Sequence, residues 1–180
     1  MQWRWPSNVS QQLVPLLGTR DMERTLSLVL LLALLGGNAL ASQKLDLFSK
    51  IEQDFREKEA SWHIERIYDE STREPFSKSI VFRSRKLQAS IQVKMWNRLE
   101  DAREEFALST ADITRARSKS VRKPVANLGE ESYMWTNPGS TAWPIINFRQ
   151  GNVYVSVFAP SVSIATRFAQ HIIGSIDATR

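Results

Sequence analysis

His63 and His171 are the chain's two imidazoles, the side chains best suited to proton transfer near neutral pH. His63 sits between Trp62 and Ile64, with Glu65 two residues further on. A carboxylate that orients a histidine makes a general base, so His63 with Glu65 is the candidate catalytic pair. Nothing in the spacing joins His63 to His171, and each reads equally well as a structural or surface histidine. Asp69-Glu70, Glu104-Glu105 and Glu130-Glu131 are adjacent acids. Neighbours on a helix or strand point apart, so these are solvated charge rather than the facing carboxylates, ~5 to 9 Å apart, that glycoside hydrolysis needs. The chain has no cysteine, which removes thiol nucleophiles and thiolate metal sites. It also lacks a G-x-S-x-G elbow, an H-E-x-x-H pair and a glycine-rich phosphate loop. No metal and no cofactor is expected.

Binding chemistry is better represented. Arg115, Arg117, Lys119, Arg122 and Lys123 form a basic run with no acid among them. Such a run suits anionic lipid, lipopolysaccharide or an acidic partner. It also reads as a solvated helix end whose cations match the negative end of the dipole. Trp135 and Trp143 flank a Pro138-Gly139 turn, with Tyr133 close by. These aromatics make a loop platform for a sugar or peptide ligand, or the seal at the end of a small sheet.

The compartment follows from residues 26–41. Leu26 to Leu35 is an almost unbroken apolar decamer, followed by Gly36-Gly37-Asn38 and the small-x-small triplet Ala39-Leu40-Ala41. A short apolar core, a helix break and an A-x-A end are the parts of a secretory signal, with cleavage between Ala41 and Ser42. A membrane anchor needs ~20 apolar residues; this stretch is only 16 residues long in all, and Gly36, Gly37 and Asn38 interrupt it. Met22-Glu23-Arg24 makes a conventional start, so residues 1–21 read as an upstream extension, 22–41 as the signal and 42–180 as one domain. Residues 1–41 hold Arg4, Arg20 and Arg24 against Asp21 and Glu23, so residues 42–180 carry 21 basic and 17 acidic residues of the chain's 24 and 19. A cysteine-free exported domain fits a bacterial periplasm better than a eukaryotic secretory route, where small domains are commonly disulfide-rich. Export also disfavours a nucleic-acid partner.

The elements that position these residues follow from periodicity. Leu45, Phe48, Ile51 and Phe55 form a helical stripe, with Glu52–Arg56 and Asp54–Lys58 as i,i+4 pairs outside it. Residues 62–68, 76–83 and 87–96 read as strands. Asn97 with Glu100 resembles a capping box that starts a helix, with Leu99, Ala102, Phe106 and Ile113 on one stripe; it frays into residues 115–119, Pro124 stops it, and a loop follows through Gly129. Residues 132–136, 143–149 and 153–158 read as strands, the last two a hairpin around Gly151-Asn152. Residues 161–176 read as a helix, with Gly174 loosening its last turn. The sum is an α+β domain: one antiparallel sheet of five or six strands, with helices mainly on one face. Phe82-Arg83 and Phe148-Arg149 each precede a strand and a helix, at offsets that suggest two hairpin-helix units.

Leu128-Gly129-Glu130-Glu131-Ser132-Tyr133, then Phe148-Arg149-Gln150-Gly151-Asn152-Val153-Tyr154-Val155, then a closing helix, resembles the C-terminal part of many uncharacterised bacterial exported proteins. These carry an L-G-[DE]-E-x-[YF] turn and an F-R-x-G-N-V-x-V hairpin. The resemblance covers residues 128–176 and implies an α+β envelope domain, without supplying catalytic residues. The expectation is an exported envelope protein, periplasmic or secreted and bacterial, that acts as a non-catalytic binding or structural module on an envelope protein or small ligand. The alternatives are a small hydrolase using His63 and membrane-surface association through residues 115–123.

Overall fold

A computed structural model describes residues 46–70, 72–117, 119–139 and 141–180. All fall within one compact unit, Leu40–Arg180. The export-signal reading, including the Ala41–Ser42 cleavage point, lies outside the described residues. Helix α1 covers residues 46–58. It is followed by β1 (His63–Glu70), β2 (Phe76–Ser84), β3 (Leu87–Met95) and α2 (Leu99–Ala116). Then come β4 (Val121–Pro124), β5 (Glu131–Thr136), β6 (Ile145–Gln150), β7 (Val153–Phe158) and α3 (Val162–Ala178).

The α+β class holds, but the sheet has seven strands rather than five or six, in the order β1-β2-β3-β7-β6-β5-β4 with every pair antiparallel. The unexpected strand is β4. Its four residues are all exposed, so it carries no buried alternation to betray it, and it lies where the sequence suggested a fraying helix and a loop.

Alternation in β2, β3, β6 and β7 builds one apolar face. Cross-strand partners Ile80 and Ile91, Phe82 and Ala89, and Val155 and Phe148 all point to it. Leu47, Phe48, Ile51 and Phe55 of α1 cover that face together with Ala165, Phe168, Ala169, Ile172 and Ile176 of α3. Phe55 stacks on Phe82 with ring centres 4.6 Å apart, and Phe168 meets both edge-on. Each buried aromatic or aliphatic side chain of this kind contributes ~1.5–3 kcal/mol of burial free energy. Ser161 caps α3 by accepting a hydrogen bond from the Ile164 N–H. Gly174 does not end the helix, which runs on to Ala178.

Helix α2 departs from expectation. It lies on the opposite face, where Ala102 and Phe106 pack with Trp96, Tyr154 and the half-buried Tyr133. The helices therefore sandwich the sheet, and β7 is buried on both sides except for Phe158. Around the β3–β7 boundary the strands follow the suggested duplication, with Phe82 and Phe148 on the same face. The hairpins β2–β3 and β6–β7 are each followed by a helix, but α2 and α3 cover different faces of the sheet.

The helix start also differs. Arg98, in extended conformation, is the N-cap of α2 and makes no side-chain cap bond. Asn97 is occupied elsewhere, since its backbone N–H and Nδ2 both donate to Glu74, at 2.7 Å each. Glu52 does not pair with Arg56; it accepts from Lys78 at 2.9 Å.

Candidate functional site

His63 and Glu65 both lie on β1, separated by a bulge between Ile64 and Arg66, and the structure does not couple them. Glu65 accepts from Arg83 at 2.9 Å and from Gln88 at 3.3 Å. The bond from Arg83 holds its carboxyl below the ordinary range. The His63 imidazole is exposed and has no hydrogen-bond partner among the described residues. The catalytic pair is replaced by a strand-to-strand ion pair.

The other histidine does have a carboxylate. Glu59, just after α1, is only 5% exposed and receives Arg167 through Nε at 2.5 Å and Nη2 at 3.0 Å; His171 Nε2 lies 3.0 Å from the same carboxylate. One turn back on α1, buried Asp54 accepts from Ser175 at 2.6 Å and from Lys50 at 2.8 Å, with Lys58 at 3.4 Å. Burial pushes the Asp54 carboxyl up, but the hydrogen bonds from Lys50 and Ser175 and the Lys58 charge more than reverse this, leaving it below its ordinary value. Both acids thus fasten α1 to α3. Sequence reading placed Asp54 with Lys58 on the outer face; the pair forms but Asp54 is buried, and the bonds to α3 were not foreseen because those partners lie 108 to 121 residues away.

The two motif segments of the closing hairpin form one clasp. Arg149, 2% exposed, reaches Glu130 through Nη2 and Glu131 through Nε, each at 2.7 Å, and the Gly151 carbonyl through Nη1 at 2.8 Å. The Glu130 N–H donates to the Arg149 carbonyl at 2.9 Å, while the Glu130 carboxylate accepts from the Gly151 N–H. Gly129 is held at φ +68°, where a Cβ would stand 2.5 Å from the Arg149 carbonyl oxygen. Asn152 Nδ2 bonds the Trp96 carbonyl. The five donors of a guanidinium suit this fork, so the motif residues are explained by folding.

The aromatic candidates separate. Trp135 is 1% exposed and its Nε1 donates to Thr114 of α2 at 3.3 Å. It anchors α2 and has no surface to offer a ligand. Tyr133 is half-buried against Phe106, with Arg122 over its outer ring face at 4.7 Å. Trp143 alone remains outside, 37% exposed.

Strand pairing brings that tryptophan to the basic run. In β4, Arg122 pairs with Trp135 and Val121 with Thr136, while Trp135 in turn pairs with Ile145 just after Trp143. Arg117, beyond the end of α2, donates from Nη1 to the Trp143 carbonyl at 2.8 Å. One corner of the sheet therefore holds exposed Trp143 and Val121, the latter 41% exposed, beside Arg115, Arg117 and Lys119, with Arg122 and Lys123 along the adjoining edge. Arg115 has Asp112 at 3.2 Å, with both side chains in solvent. Lys119 and Lys123 have no ion pair among the described residues. The arrangement combines apolar contact area with unneutralised cations.

Among the described residues, no group of three or more metal-ligating side chains converges, and no helix is long and apolar enough to cross a membrane. No protein-family model matches the chain, and no curated protein or solved structure matches it.

Proposed function

We propose that this protein is an exported cell-envelope module that binds without catalysing a reaction, and that the β4 corner holds it against anionic lipid. The observation that carries this is the hydrogen bond from Arg117 to the Trp143 backbone carbonyl, which fixes the residue bearing an exposed indole beside the basic run. Indoles favour the membrane–water interface, where one part of the ring system is apolar and another wet. Each Lys or Arg near an anionic leaflet adds about 1 kcal/mol of attraction. The apolar core and small-residue triplet at residues 26–41 support export, as does the resemblance of residues 128–176 to bacterial exported proteins. The acids at positions 54, 59, 65, 130 and 131 are bound to basic side chains within the fold, which favours a binding role over a hydrolytic one. Co-sedimentation with phosphatidylglycerol-containing vesicles and with pure phosphatidylcholine vesicles tests the reading. Binding to the first that falls as salt rises supports it; equal partition into both overturns it.

A further inference from the structure

A second feature lies at the other end of the sheet and is independent of the membrane reading. Where α1 ends and β1 begins, a cleft of about 270 Å³ opens to solvent, lined by Phe55, Arg56, Ala60, Trp62, His63, Ile64 and Phe82. We propose that this cleft binds a small amphiphilic anion, an aryl or short-acyl carboxylate, with its apolar group against Ala60, Trp62 and Ile64 and its carboxylate held by Arg56 and His63.

The apolar wall of exposed Ala60, half-buried Ile64 and the edge of Trp62 is preformed, because buried core rings back it. Phe82 stacks on Phe55, and Trp62 meets Phe168 edge-on at 5.3 Å. These rings are anchored in the core, so little side-chain freedom is lost on binding. The charge at the cleft has one sign. The side chains of Arg56 and His63 are exposed and have neither a hydrogen bond nor an ion pair among the described residues. The acids nearest in sequence are already engaged: Glu59 by Arg167 and His171, Glu65 by Arg83, and Glu57 by Gln53 at 2.7 Å. The cleft is lined about equally by polar and apolar surface, which suits an amphiphile, and convergent polar groups beside apolar lining are usual in a small-molecule site. A volume of about 270 Å³ falls just below the ~300–1,000 Å³ of sites for drug-sized ligands, which fits one phenyl ring or a short acyl chain. A guanidinium favours a carboxylate because its planar N–H fork matches the two oxygens.

The test is titration of the full chain with 3-phenylpropionate and with hexanoate, followed by amide chemical shifts, with hexylamine and hexanol as controls. Saturable binding of the carboxylates, with shifts centred on residues 56, 60, 62–64 and 82, is expected. Arg56→Gln or His63→Gln should weaken it at least about tenfold, one charge-assisted hydrogen bond's worth. Ala60→Leu, which fills the cleft from an exposed position, should abolish it while the unfolding midpoint stays in place. Hexylamine or hexanol binding as well as hexanoate would overturn the proposal. So would full affinity in Arg56→Gln, or no saturation by about 10 mM carboxylate, weaker than ~3 kcal/mol of binding free energy.

Discussion

Arg117 and Trp143, 26 residues apart, are joined by a hydrogen bond of 2.8 Å from the guanidinium to the backbone carbonyl. The bond ties the end of α2 to the start of β6, and it leaves the indole outside while Trp135, on the neighbouring strand, is sealed beneath α2. Two tryptophans eight positions apart thus take opposite roles.

That difference is measurable in stability. Trp135→Ala removes a fully buried indole that anchors α2 and should cost about 3–5 kcal/mol. Trp143→Ala should change stability by less than about 1 kcal/mol. Denaturant unfolding of both variants checks this; equal losses would place Trp143 in the core.

The Arg149 clasp predicts a second pair of effects. Arg149→Ala empties a buried guanidinium site and frees three acceptors, of which the two carboxylates are partly solvated. The loss should be about 2–4 kcal/mol, less than a fully buried pair would give. Gly129→Ala forces a Cβ onto the Arg149 carbonyl at a left-handed φ, and should cost more than about 2 kcal/mol. Unfolding midpoints below wild type in both variants are expected; a Gly129→Ala protein of wild-type stability would contradict the geometry.

The strand pattern of the sheet was largely legible in the sequence; its surroundings were not. Residues 153–158 place Val153, Val155 and Val157 on one face and Tyr154, Ser156 and Phe158 on the other, an alternation that does not say whether the second face is covered. The structure buries Tyr154 and Ser156 under α2 and links Ser156 to Asn147 at 2.7 Å. A helical stripe such as Ala102 and Phe106 says that a helix packs, but not on which side of the sheet. Strand β4 left no signal, because neither of its faces is buried. The basic run and the tryptophans were each visible as candidates, yet their meeting at one corner depends on the order of β4, β5 and β6. The pairing of His63 with Glu65 failed because Arg83, on the adjacent strand, takes the carboxylate.

Acid should weaken the α1–α3 fastening. Asp54 is held below its ordinary pKa in the folded protein, and so is Glu130, whose burial is outweighed by the Gly151 N–H and the Arg149 guanidinium. A carboxyl with a depressed folded pKa contributes stability that is present above its unfolded value and lost as pH falls through the folded one. The unfolding midpoint should therefore drop as pH falls from about 5 towards 3. Asp54→Asn should flatten part of that drop. An unchanged slope in the variant would exclude Asp54 as a contributor.

The central claim is that the β4 corner meets anionic lipid. Its most direct test is co-sedimentation of the full chain with phosphatidylglycerol-containing vesicles at about 0.05 M and about 0.5 M salt, where screening lengths differ severalfold. Trp143→Ala and the double variant Lys119→Gln/Lys123→Gln run alongside. All three substitutions lie outside residues 26–41, so any loss reports on the corner. The account predicts binding at low salt that falls at high salt and is weakened by both variants, with salt sensitivity reduced in the double variant because Arg115, Arg117 and Arg122 remain. Wild-type binding in both variants, or binding indifferent to salt, would contradict it.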